Sequence, residues 1–173
     1  LKKLVEPFIL RRVKTDKSII KDLPDKVEQK VYCPLTKEQA SLYQTVVDEI
    51  HEALAAAEEQ QHKGLILSSL VKLKQICNHP AQFLKDGSAF APERSFKLQR
   101  LLEMVEEVLD NQESLLIFTQ FTEVGEQLSR LFKSQFHYRT WYLHGGTSQP
   151  QRERMIEEFQ DPESACGVFI LSL

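Results

Sequence analysis

The residues best suited to chemistry in this sequence are small, hydroxylic or basic, and they recur just beyond apolar runs. Thr119 and Gln120 close "LLIFTQF" (115–121), His144-Gly145-Gly146-Thr147 follows an apolar stretch at about 138–143, and Ser172 lies within "GVFILSL" (167–173). Glycines let backbone N–H groups approach an oxyanion closely, and a helix N-terminus adds positive dipole character. Ser148 and Gln151 have capping-box spacing, so a helix start faces the same loop. Arg152 lies one turn further on, on the side of Met155, Ile156 and Phe159. Its guanidinium can bond a phosphate or brace the loop. It can also do neither, and only snorkel past the core beside a turn-forming glycine pair.

Other polar residues sort more simply. Lys97 falls at a helix start, where a lysine gains nothing from the dipole, which marks it as a contact candidate. Arg154 and Glu158 are an i,i+4 pair, and His79 beside Pro80 reads as a helix stop. His144 has no second ligand at metal-binding spacing, so no metal is expected. The chain lacks a Gly-x-x-x-x-Gly-Lys-Ser/Thr loop and an acidic strand end, so phosphoryl transfer is beyond its own residues.

These groups need elements to position them. Thr36 and Gln39 open a helix that continues through Tyr43, Val46, Val47, Ile50, Leu54 and Ala57 at spacings of three and four. A second helix runs through Ile66, Leu70, Leu73 and Cys77 to Pro80, completing a helical hairpin. Its outer face, with Asp48, Glu49, Glu52, Glu58 and Glu59, reads as a solvated acidic surface. Residues 82–94 form a loop. From residue 95, helices alternate with short apolar runs: a helix from 95 to 109, a strand at 115–121 read as buried on both faces, and a helix through Val124, Leu128 and Leu131. A strand at about 138–143, a helix at 149–160 and a strand at 167–173 follow. That alternation predicts an α/β fold with right-handed βαβαβ units on a parallel sheet, whose strand C-terminal ends share one ligand-binding edge. The division is a basic connector (1–35), the helical hairpin and hinge loop (36–94), and the sheet region (95–173).

Composition narrows the class. Among 173 residues the net charge is -3, which excludes a wholesale polyanion-coating protein, yet residues 1–31 carry nine Lys/Arg against five Asp/Glu. No apolar run is long enough for a bilayer, so no membrane partner is expected. Cys33, Cys77 and Cys166 read as reduced core thiols of an intracellular protein.

Taken in order, "PFILRRVKTD" (7–16), "LPDKVEQKVYCPLTKEQASLY" (23–43), "LVKLKQICNHP" (70–80), "SFKLQRLLEMVEEVL" (95–109), "LLIFTQF" and "HGGTSQPQRERMIEEF" (144–159) resemble the Swi/Snf-type ATPases of helicase superfamily two. "QICNHP" downstream of "PFILRR" carries most of that resemblance. It implies two RecA-like lobes in the parent protein, with this chain covering the end of the first, the helical protrusion and an incomplete second lobe. The parent is then a DNA-dependent ATPase using ATP and Mg, acting as a double-stranded DNA translocase in the cytoplasm, nucleoid or nucleus. The fragment alone is expected to be inactive and to bind no cofactor. By resemblance, Thr119, Gln120, Gly146, Thr147, Arg152 and Lys97 are the DNA-backbone contacts. His144 and Phe96 depart from the family pattern, where aspartate and glycine are frequent. Two alternatives stand beside this reading: an interaction module whose acidic hairpin docks a protein, and the second lobe of an RNA helicase. Because "GVFILSL" reads as an open cut edge, self-association through it is also expected.

Overall fold

The computed structural model describes residues 27–163 and 166–172. The chain divides into two compact units, Leu1–Tyr32 and Cys33–Leu173. Of the first, residues 27–32 are described, without regular structure. The basic segment before them, with "PFILRRVKTD", lies outside the described residues, as does the side chain of Glu59.

The second unit opens with helix α1 (Lys37–Ala56), started by the expected capping box. Gln39 N–H donates to Thr36 Oγ1 at 3.2 Å, and Thr36 N–H donates to Gln39 Oε1 at 3.0 Å. The hairpin's second helix, α2 (His62–Asn78), packs against α1 and is followed directly by the short α3 (Pro80–Leu84). The apolar stripe of α2 differs from expectation. Ile66 and Leu70 are 44% and 48% exposed, whereas Ser69 and Ile76 are buried. Val46, Leu65 and Ser69 line the cleft between the helices, so the face turned to α1 is set about one residue off the most apolar line. Asp48, Glu49, Glu52 and Glu58 are exposed, as an acidic solvated face requires. Gln39 is a further bolt, 1% exposed, with Nε2 donating to Ile76 O at 2.7 Å and Cys77 O at 3.4 Å.

His79 does more than stop a helix. Its backbone N–H donates to Gln75 O at the end of α2, and Nδ1 accepts from Ala81 N–H at 3.1 Å at the start of α3. Nε2 donates to Ala91 O at 2.9 Å, which makes the ring neutral with its proton on Nε2. Burial holds its pKa below the ordinary imidazole value, with the Ala91 bond opposing that shift. The neutral ring's contribution is therefore complete above about pH 6.5. It is lost as pH falls through the lower folded pKa, because the unfolded chain takes up the proton first. Melting temperature is expected to fall more steeply between pH 7 and pH 5 in the wild type than in His79→Gln; parallel slopes would clear His79 of the effect.

The sheet follows helix α4 (Phe96–Asp110). Strand β1 (Leu115–Thr119), helix α5 (Thr122–Ser134), strand β2 (Thr140–Leu143), helix α6 (Gln149–Gln160) and strand β3 (Val168–Ser172) complete the parallel β-α-β-α-β order. The spatial order is β1-β3-β2. One face packs Val168 and Ile170 against Leu98 and Val105 of α4 and Leu128, Leu131 and Phe132 of α5. On the other face, Phe159 of α6 meets Trp141 and Phe169 edge-on at 5.5 and 5.2 Å.

Two expectations are corrected here. β1 is not buried on both faces: Leu116 and Phe118 are 52% and 57% exposed, because α6 covers the β2–β3 side of that face. Nor is "GVFILSL" an open edge. β3 is the middle strand, with Val168, Phe169 and Ile170 buried, and the free edges belong to β1 and β2 among the described residues. Parallel connections skip a strand position here, which local sequence pattern does not encode.

Candidate nucleic-acid interface

At the C-terminal end of β1 the chain turns sharply into α5. Thr119 Oγ1 accepts from Phe121 N–H at 3.2 Å, so this hydroxyl shapes the turn while Gln120 projects into solvent. Gln120 Oε1 accepts from Lys74 Nζ at 3.3 Å. Across the gap, Lys97 Nζ donates to Asn78 Oδ1 at 2.8 Å. These residues line a groove of about 310 Å³ with Phe118 and Cys77. Burial raises the Cys77 thiol pKa, so it is protonated at neutral pH.

The position of Lys97 follows from the cap of α4. Ser95 Oγ accepts from Leu98 N–H at 3.3 Å and donates to Asn78 O at 2.8 Å, so the start of α4 is pinned to the end of α2. The groove thus gathers Lys97, Thr119 and Gln120. It adds Lys74 and Asn78, which sequence reasoning missed. A lysine on an exposed helix face carries no local signal; only the proximity of α2 to β1 gives it one.

The second cluster lies beyond β2, on the same sheet edge but on the other side of β3. Adjacent strands lie about 4.8 Å apart, so the ends of β1 and β2 are separated by roughly 10 Å. Here the His144–Thr147 loop is closed on itself. His144 N–H donates to Thr147 Oγ1 at 3.1 Å, Thr147 N–H donates to His144 O at 3.0 Å, and Gly146 N–H donates to His144 Nδ1 at 3.2 Å. Ser148 N–H is taken by Gln151 Oε1. The expectation that loop amides stand ready for an oxyanion is corrected: these four are engaged internally. The glycine requirement is local, since a Cβ on Gly146 would lie 3.1 Å from the His144 ring.

Arg152 explains how the loop holds its shape. Nε donates to Thr147 O at 3.0 Å and Nη2 to His144 O at 3.4 Å, while Thr147 itself is buried. Of the roles open to this arginine, bracing the loop is the one the geometry displays. Among the described residues no group of three or more His, Cys, Asp or Glu could hold a metal ion.

A parallel α/β lobe with polar loops along its strand ends, preceded by a helical hairpin, is the architecture of a helicase-type second lobe. Sequence comparison then gives the family. The SNF2-related domain matches residues 1–82 and the helicase conserved C-terminal domain matches residues 97–173. A putative ATP-dependent helicase/translocase of Bacillus subtilis is 40% identical over 174 residues, covering 100% of this chain and 19% of the relative. The human SWI/SNF-related matrix-associated actin-dependent regulator of chromatin subfamily A member 1 is 31% identical, covering 98% of this chain and 16% of the relative. A solved Sulfolobus solfataricus SWI2/SNF2 ATPase core in complex with dsDNA superposes with a TM-score of 0.79 at 40% identity, over 99% of this chain and 36% of that one. The chain belongs to the Swi/Snf-type branch of the superfamily-two helicase-like proteins. It spans about a fifth or less of the length of these curated relatives.

Proposed function

We propose that the protein carrying this chain is an intracellular, ATP- and Mg-dependent translocase on double-stranded DNA, and that this chain supplies backbone contacts from its second lobe. The observation that carries the reading is the groove where Lys74 and Lys97 flank Gln120 at the strand-end edge of a chain whose net charge is -3. A relative of matching fold, 40% identical, is a SWI2/SNF2 core solved with duplex DNA, and it supports the choice of polymer. Lys97, Lys74, Gln120 and Thr119 form the phosphate-facing part. Gly146, Thr147 and Arg152 form a stiff second loop about two strands away that fixes the register of the backbone against the sheet edge. Opening and closing of the two lobes during the ATP cycle then moves these contacts along one strand.

Phosphate contacts make binding indifferent to sequence and steeply salt-dependent, with a log–log slope of about -0.9 per neutralised phosphate. In the full-length protein, Lys74→Ala combined with Lys97→Ala is expected to make that slope shallower by about 1.8 and to weaken DNA-stimulated ATP hydrolysis. Both lysines are exposed, so folding should survive. An unchanged salt slope, or binding specific to one sequence that persists at high salt, would remove this groove from the DNA path.

A further inference from the structure

The outer edge of β2 has no strand beside it among the described residues. Val168 N–H donates to Arg139 O at 2.9 Å, which sets the alternation along the strand. Residues 139, 141 and 143 turn their backbone groups toward β3, so Thr140 and Tyr142 turn theirs toward the free side. That side is the floor of a groove of about 600 Å³, walled by Lys133 of α5 and by Arg154 and Glu158 of α6. "TWYL" is rich in strand-forming residues and carries no proline or bulge of the kind that blunts natural edges.

The groove is cationic. Its acid, Glu158, is already held by Trp141 Nε1–H at 2.9 Å and by Arg154 Nε–H at 2.7 Å. Lys133 and Arg139 make no close ion pair among the described residues, and Arg139 acts on Glu158 only through space. Arg139 is stationed at the groove by its own contact, 4.7 Å over the Trp141 ring. An edge that keeps its ladder groups open, between walls of net positive charge, selects what can pair with it. A second copy of the same edge would bring Lys133, Arg139 and Arg154 against their own images, and a basic strand would meet the same repulsion.

We propose that this edge receives an extended acidic peptide segment, which adds to the sheet beside β2 as a fourth strand. Thr140 and Tyr142 supply the main-chain hydrogen bonds, and Lys133, Arg139 and Arg154 meet the peptide's carboxylates. This is strand addition with affinity from the backbone and selection from charge. Four edge residues span about 13 Å, so the recognised core is short. The site is separate from the lysine groove at β1 and does not depend on the DNA reading.

The test uses the full-length protein and a fluorescein-labelled eight-residue peptide repeating Glu-Glu-Thr-Thr, which puts carboxylates on both faces of the added strand. Saturable binding by fluorescence anisotropy is expected, with slower amide exchange in residues 139–143. Binding should weaken about tenfold or more in Lys133→Glu with Arg154→Glu, since opposed charges at an interface shift affinity by that order. Both side chains are exposed and lie outside the packed core. A peptide of the same sequence with its ladder amides N-methylated should not bind. Equal binding of the methylated peptide would overturn the proposal independently of any variant, as would unchanged exchange at 139–143. So would duplex DNA displacing the peptide and losing affinity in step with it in the charge-reversed protein, because the groove would then belong to the nucleic acid.

Discussion

Gln39→Glu is expected to destabilise the helical hairpin by about 3–5 kcal/mol at pH 8, more than Gln39→Ala, although it exchanges a single NH2 for oxygen. Gln39 is 1% exposed and faces two carbonyls, Ile76 O at 2.7 Å and Cys77 O at 3.4 Å, through its amide nitrogen. A carboxylate in that place sets negative oxygen against carbonyl oxygen with no water to intervene. Alanine leaves the buried Ile76 O without its partner, worth about 1–3 kcal/mol, frees a Thr36 N–H that is only part-buried, and introduces no charge. Acid should also separate the two variants. Burial raises the folded-state pKa of the introduced carboxyl above its unfolded value. Its stability is therefore fully present below the unfolded pKa and lost as pH rises through the folded one. Native-state hydrogen exchange across residues 36–80, at pH 4 and pH 8, gives the comparison. Gln39→Glu should converge on the wild type at the lower pH while Gln39→Ala keeps its deficit. A glutamate variant no weaker than alanine at pH 8 would mean that water reaches this contact.

Arg152→Ala is expected to lower DNA-stimulated ATP hydrolysis of the full-length protein about tenfold or more, equivalent to about 1.4 kcal/mol of coupling. The guanidinium holds Thr147 O and His144 O together, and bonds to a charged donor are worth about 1.5–3 kcal/mol each. Without it the loop can leave the closed conformation proposed to hold Gly146 and Thr147 against the DNA backbone. Arg152→Lys separates bracing from charge. Lysine keeps the positive charge but lacks the planar fork, so it should restore little if the side chain acts on the loop. The salt slope offers the second readout. It should stay nearly constant in Arg152→Ala while affinity falls, because the arginine's donors act on carbonyls. A slope shallower by about 0.9, with lysine restoring activity, would make Arg152 a phosphate contact instead.

Much of this arrangement was legible wherever a short-range rule decides the outcome. Thr36 with Gln39 and the stop at Pro80 gave hairpin boundaries, and the apolar run at 115–121 gave a strand, though its ordered ladder ends at Thr119. Thr119, Gln120 and Lys97 line one groove at the end of β1. What escaped depends on spatial neighbours. Lys74 reads as an ordinary solvated lysine until α2 is brought beside β1. The glycine pair at 145–146 reads as an anion-ready turn until His144 is seen to take the Gly146 amide and Gln151 that of Ser148. The exposed flank of β1 and the central place of β3 follow from strand order, to which alternation of helices and strands is blind.

That strand order also governs when the sheet can exist during synthesis. β1 and β2 emerge first and are not neighbours, so neither has its ladder partner until β3 has left the ribosome. The contact of Gly167 N–H with Ser114 Oγ, 53 residues back, is one of the closures that must wait. At about 5–20 residues per second, several seconds separate the appearance of β1 from its first pairing. Through that interval Leu116, Ile117 and Phe118 form an apolar segment with an unpaired backbone, the kind of nascent stretch that chaperones hold. The hairpin, built from contacts between successive helices, can form well before the sheet and give α4 a surface to dock on while the strands are still apart.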